Sequence, residues 1–276
     1  MQNLTFSQCF KGAWHDAAQA IVKMPVLTLI LFLLCLAVFF DADQQLILMN
    51  KSASLGANAA ANATADDPTS FGPFLTIAWI VTIFVTKARV IRMCVQGDVQ
   101  RPLLAGVNRL ILLNLIYVAC FTAVATAIMA VYIGLSAHKG GQTPGPTAAI
   151  GVIAGAVVLI GSFLVTRLIL MTTHVVMGGT FAWRKAWHDT RGHFWSTLGT
   201  LLGTLSPIFV VYMVIAFARQ YLSLQADTSS LLYDGALFFS ALCCLIYMIV
   251  ASASYAWLYK RYADALVQQQ ASATST

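Results

Sequence analysis

The sequence predicts an all-α integral membrane protein with six transmembrane helices arranged as hairpin repeats, amphipathic interfacial helices, and both termini in the cytoplasm. Three observations predict it. Hydrophobic residues make up 59% of the 276 residues and charged residues only 9%, with a mean hydropathy of +0.78; soluble domains are about 45–50% apolar and about 25% charged. A hydrocarbon core about 30 Å thick takes roughly 20 apolar residues of helix, and such stretches occur near 24–44, 73–93, 110–134, 147–169, 195–217 and 232–257. The bases are unevenly placed. Lys11, Lys23, Lys87, Arg89, Arg92, Arg101, Arg109, Arg167, Arg184, Lys185, Arg191, Lys260 and Arg261 fall on one side, against Lys51, Lys139 and Arg219 on the other. The positive-inside rule puts the first set, and both termini, in the cytoplasm.

The chain opens on an amphipathic segment. Phe6, Phe10, Ala13, Trp14, Ala17 and Ile21 recur at helical spacing, with Ser7, Lys11, His15, Asp16 and Gln19 opposite, the pattern of a helix lying in the inner interface. Span one follows, with Pro25 in its first turn. It starts late for a signal peptide and lacks a small-residue cleavage site, so it reads as a retained helix. Residues 51–70 are small, polar and acidic, a translocated loop. Span two ends in Val85-Thr86-Lys87 and span four in Val165-Thr166-Arg167, with Gly97 and Gly178 placed to close the two helices. Residues 136–147 form a Gly/Pro turn. Gly151-x-x-x-Gly155 and Gly199-x-x-x-Gly203 are close-packing signatures, and Pro207 falls in mid-span five, where it removes a backbone hydrogen bond.

The tetrapeptide Ala-Trp-His-Asp occurs twice, at 13–16 and 186–189. Trp183, Ala186, Trp187 and Phe194 repeat before span five the spacing seen before span one. The simplest organisation is a single membrane domain over 1–265, built of hairpins 6–97, 98–180 and 181–265 and followed by a disordered tail, 266–276. As chemistry, His15 with Asp16 and His188 with Asp189 suggest a metal or acid–base pair. Adjacent residues share a helix face poorly and lack the i, i+4 partner of ligand pairs, so Trp14, Trp183, Trp187 and Trp195 are read as interfacial anchors and the two aspartates as partners of interfacial bases. The alternative gathers His15, His188, His174 and His193 into one cytoplasmic-side site.

Other classes are disfavoured. All ten acids are aspartates and none falls at mid-membrane depth, where coupled carriers keep an acid or an unwound helix. No nucleophile elbow, zinc-protease or phosphate-loop pattern is present, and Ser252 and Ser254 read as packing residues. The six cysteines lack metal spacing. The expectation is therefore no enzyme, no cofactor, no metal and no nucleic acid. The net charge of +6 flanks apolar runs and points to anionic lipid. Lys87, Arg89, Arg92 and Arg167 either snorkel as stop-transfer anchors, the favoured reading, or, with Arg191, hold an anionic headgroup, Arg167 best by its bidentate fork.

The stretch Phe181–Leu202, with Ala-Trp, Thr190-Arg191-Gly192 and Trp195 before an apolar span, and the ending Tyr259-Lys260-Arg261 resemble uncharacterised six-span bacterial membrane proteins related to the membrane domain of some glycerophosphodiester phosphodiesterases. The chain lacks their hydrolase domain. The resemblance implies a bacterial inner-membrane location and the hairpin repeat, and no reaction. Two functions are then expected: first a non-enzymatic scaffold or accessory subunit of a membrane protein complex, second a protein that handles lipids or other amphiphiles through its basic girdle.

Overall fold

The computed structural model describes residues 5–55, 72–97, 107–117, 119, 122, 126, 155, 161, 163–164, 166–224, 231–263 and 266–267. All regular structure among them is α-helical. The helices are α1 (Phe6–Lys23), α2 (Pro25–Leu55), α3 (Gly72–Gln96), α4 (Val107–Tyr117), α5 (166–176), α6 (Trp183–Asp189), α7 (Phe194–Leu224) and α8 (Leu231–Tyr262). Pro25–Gln45, Gly72–Gln96, Phe194–Leu222 and Leu231–Tyr262 are long and apolar enough to cross a membrane. The expected spans at 110–134 and 147–169 fall largely outside the described residues, as do Gly151, Val165 and Cys120.

The chain divides into two compact units. One comprises Thr5–Val99 and Thr200–Trp257. Its first helix starts where Thr5 and Gln8 exchange side-chain to backbone hydrogen bonds, a capping box. Met24, with φ −129° and ψ 54°, separates α1 from α2, and Pro25, whose missing N–H costs nothing in a first turn, begins the new helix. Trp79 of α3 donates its indole N–H to Cys35 Sγ on α2 at 3.2 Å, and a Cβ on Gly72 would lie 2.8 Å from Asp41 Oδ2. The two helices therefore run antiparallel. On α8, Phe238 packs edge-on to Phe32 of α2 at 5.2 Å, and 56% of the α8 apolar stretch is buried, against 11–22% for the other three candidate spans. α8 is the central post of this unit. Its small residues, Ala241, Ala253 and Ala256, are fully buried, and Ser252 and Ser254 return their hydroxyls to the carbonyls of Met248 and Val250, the cheapest way to bury a hydroxyl in an apolar bundle.

The face of α1 that packs into the protein is not the one that carries its largest apolar residues. It is Cys9, Ala13, Ala17 and Ala20, whereas Phe6 and Ile21 are exposed. Close approach explains this. A Cβ on Gly12 would overlap the Trp257 ring, so small residues must occupy the contact line while Phe6, Phe10 and Trp14 flank it. Of the expected close-packing glycines, Gly203 meets the Phe6 ring, which a Cβ added there would approach to 2.8 Å, while Gly155 and Gly199 have nothing within 4 Å among the described residues. Pro207 lies inside a continuous α7.

The other unit comprises Met1–Leu4, Gln100–Gly199 and Leu258–Thr276. α4 and α5 run antiparallel, because the Tyr117 hydroxyl donates to the Leu168 carbonyl at 3.4 Å and Arg109 Nη1 donates to the Gly178 and Gly179 carbonyls at 3.3 and 3.1 Å. α5 closes on a Schellman motif: Gly179 N–H bonds the His174 carbonyl and Gly178 N–H the Val175 carbonyl, with Gly178 at φ 94°, a conformation that suits glycine. Gly97 closes α3 likewise at φ 70°. The segment expected to be a disordered tail is helical at its start, at Leu266 and Val267, and Leu266 is fully buried.

Candidate functional site

The two Ala-Trp-His-Asp copies share a buried alanine, an exposed histidine and an aspartate that accepts a hydrogen bond. Ala13 and Ala186 are both fully buried, and the imidazoles of His15 and His188 are 70% and 78% exposed. Asp16 accepts the indole N–H of Trp257 at 2.9 Å. Asp189 accepts the backbone N–H of Leu266 at 3.2 Å. The carboxylates thus hold C-terminal segments of their own units, partners the sequence did not suggest. Each aspartate also reaches its neighbouring histidine, His15 Nδ1 to Asp16 Oδ1 at 3.5 Å and His188 Nδ1 to Asp189 Oδ1 at 4.0 Å, so adjacency is a poorer barrier than helix geometry implies. His174 is 1% exposed, lies against the Gly179 backbone, and shares a 3.1 Å hydrogen bond between Nδ1 and the Tyr259 hydroxyl. Burial, and secondarily Lys185, push its imidazole below the ordinary value. His193 stacks on Tyr262 at 5.0 Å. Neither is gathered with His188, whose ring is turned out.

The bases read as anchors or anion contacts differ in their surroundings. Lys87 Nζ lies 4.7 Å from the centroid of the Tyr255 ring, and Arg92 is only 9% exposed. Arg89 Nε is buried without a hydrogen-bond partner. Arg167 is the most constrained. Its Cζ lies 5.2 Å from the Phe163 ring, 5.2 Å from Trp187 and 5.9 Å from Phe194, and these rings also meet one another, Phe163 at 5.8 Å from Trp187 and 5.3 Å from Phe194. Phe163 sits one turn before Arg167 on the same face, and the other two arrive from α6 and α7. Ring quadrupoles hold the cation, yet its Nε and Nη1 are buried with no hydrogen-bond acceptor. No carboxylate lies within ion-pair distance among the described residues. Arg191 is exposed in the turn that Gly192 closes at φ 83°, and Thr190, fully buried, donates back to the carbonyls of Ala186 and Trp187. Trp183 and Trp195 are 58% and 79% exposed, and Trp14 and Trp187 are half-buried.

At the opposite end of the first unit is a cluster that the sequence shows only as outer-end charge. Arg219 Nη2 on α7 donates to Asp43 Oδ1 on α2 at 2.6 Å, and the Tyr233 hydroxyl on α8 donates to the same oxygen at 2.5 Å. The Arg219 guanidinium lies 5.6 Å from the Tyr233 ring centroid, and the Asp43 side chain is 5% exposed. The signal that could have found it is an acid and a base of opposite sign at matching ends of apolar helices, where leaving either unpaired is expensive.

Helices of this length and hydropathy, with no strand among the described residues, define a multi-pass helical membrane protein. Compared with known proteins, the chain matches no family model, no curated protein and no solved structure.

Proposed function

We propose that this chain is a non-enzymatic, six-span protein of a bacterial inner membrane, with cytoplasmic termini, that holds anionic amphiphiles at its basic end. One observation supports this above the others. In the unit containing α4 to α6, the described bases are Arg109, Arg167, Arg184, Lys185, Arg191, Lys260 and Arg261, and the described acid is Asp189 alone, its carboxylate engaged by Leu266 and His188. Such an imbalance beside exposed indoles attracts anionic headgroups at about 1 kcal/mol per base near the surface, and indoles settle at headgroup level. The kinship with the six-span bacterial proteins and the duplication of hairpins belong to the same proposal, as does Arg191 as an exposed contact.

The scaffold reading draws on the same exposed Trp183 and Trp195 for docking a protein, but it gives the excess of bases no role. Native mass spectrometry of the full chain, extracted with its surrounding membrane, separates the two. Anionic lipid enriched over the bulk membrane is the expected result. A stoichiometric protein partner with lipid in bulk proportions would sink the amphiphile reading in favour of the scaffold.

A further inference from the structure

We infer that Arg167 and Thr197 form a discrete site for a phosphoryl group, walled by Phe163, Trp187 and Phe194. The inference rests on the amphiphile reading and narrows it to one side-chain cluster and one chemistry. Thr197 is 0% exposed and its Oγ1 has no hydrogen-bond partner. It lies three residues after Phe194, hence on the same face of α7, and the Phe194 ring is one of the three around the Arg167 guanidinium. Two nitrogens of that guanidinium, Nε and Nη1, are themselves buried and unpartnered. Buried polar groups in native proteins are nearly always hydrogen-bonded, and leaving a charged donor without an acceptor in an apolar setting is expensive. Two such groups on facing elements of one unit therefore call for an acceptor that the described residues do not supply.

The acceptor's chemistry follows from the donors. A guanidinium offers a planar fork that suits phosphate. A threonine hydroxyl adds a single directed donor. Thr197 stands in the first turn of α7, a 31-residue helix whose N-terminal end carries positive potential, and the Arg167 guanidinium reaches the same end at the Phe194 ring. The aromatic walls hold the guanidinium plane by cation–π attraction and offer apolar surface to whatever bears the phosphoryl group. A phosphate ester with an apolar remainder fits both; a phospholipid headgroup and a small soluble phosphate ester share this chemistry.

The test uses the full chain in phosphatidylcholine nanodiscs containing or lacking phosphatidylglycerol, read by native mass spectrometry as phosphatidylglycerol retained per chain. Four proteins are compared: wild type, Arg167→Ala, Thr197→Val, and Lys11→Ala as a charge-matched control outside the site. A single charge-assisted hydrogen bond predicts that Arg167→Ala loses retention by about tenfold or more. Thr197→Val loses it by about threefold, one neutral hydrogen bond, and Lys11→Ala retains it as wild type does. Competition identifies the source: phosphatidylglycerol displaced from wild type by millimolar glycerol phosphate assigns the site to soluble phosphate esters, and retention despite it assigns the site to lipid. Equal retention in wild type, Arg167→Ala and Thr197→Val overturns this site and leaves the broader amphiphile reading standing. Wild type that retains no phosphatidylglycerol overturns both. Should Arg167→Ala fail to fold, Thr197→Val decides alone, since replacing a hydroxyl by a methyl preserves shape.

Discussion

Asp43 carries two hydrogen bonds on one carboxylate oxygen, from Arg219 and Tyr233, at an end of three helices where water is scarce. Removing one member of a buried ion pair strands the other, so Arg219→Ala is expected to destabilise the fold by about 3–5 kcal/mol, read as a fall in the thermal unfolding midpoint in detergent. Replacing both charges with apolar residues of matching volume recovers most of that loss. If Arg219→Ala and the double replacement unfold at the same temperature as wild type, the pair is not a structural tie. His174 gives a prediction of different sign. Its imidazole is held neutral by burial, so its folded value lies below the ordinary value of about 6.5. Between those two values the unfolded chain binds a proton that the folded chain does not, so stability falls as pH drops below about 6.5 and is unaffected above it. Thermal midpoints between pH 7.5 and pH 5, on the order of the cytoplasmic to mildly acidic range, check this, with His174→Gln expected to flatten the profile.

At the scale of the element, helix ends and helix faces differ in legibility. The ends are open to sequence reading because they depend on neighbours in the chain: Pro25 starts α2, and Gly97 and Gly178 close their helices with positive φ. Thr5 caps α1 through a capping box, and Thr5→Ala should cost about 1 kcal/mol, a small drop in thermal midpoint that Thr5→Ser restores. The buried face of α1 is not legible. Periodicity names the large apolar residues, whereas the contact line runs through Gly12, Ala13 and Ala17, because the Trp257 ring sits directly on the helix backbone. Gly12→Ala puts a methyl into that ring, which the hydrogen bond to Asp16 keeps from swinging away. The expected cost is about 1–3 kcal/mol of overpacking, and Trp257→Leu, which makes room, is expected to lessen it. An additive double variant would show that ring and glycine do not meet in solution.

At the scale of the whole molecule, orientation is the property most open to a direct check. In the orientation proposed from the distribution of bases, His15 and His188 lie on the cytoplasmic side and Asp234 on the other. His15 and His188 are exposed; Cys9, Cys35, Cys94 and Cys243 are buried and Cys244 is half-buried, so the labelling is done in a chain whose Cys120 and Cys244 are replaced by serine. Single cysteines introduced as His15→Cys and His188→Cys should react with a membrane-impermeant maleimide only in inverted vesicles, and Asp234→Cys only in right-side-out cells. Labelling of His15→Cys and His188→Cys from opposite sides would end the parallel-hairpin reading.

By itself the sequence determined the class of protein, four helices long and apolar enough to cross a membrane, and the residues that begin and close helices, because hydropathy, capping and turn chemistry act over a few neighbouring residues. It also named Arg167 and Trp187, but for separate tasks, an anion contact and an anchor. Only the tertiary structure decided that they belong together with Phe163 and Phe194, that Asp43 finds Arg219 and Tyr233 at separations of 176 and 190 residues, and that Thr197 stands buried with its hydroxyl unpartnered. A buried charge in an apolar bundle takes whichever partner packing brings within hydrogen-bond reach, and that choice is made in space, where the chain's own order carries no record of it.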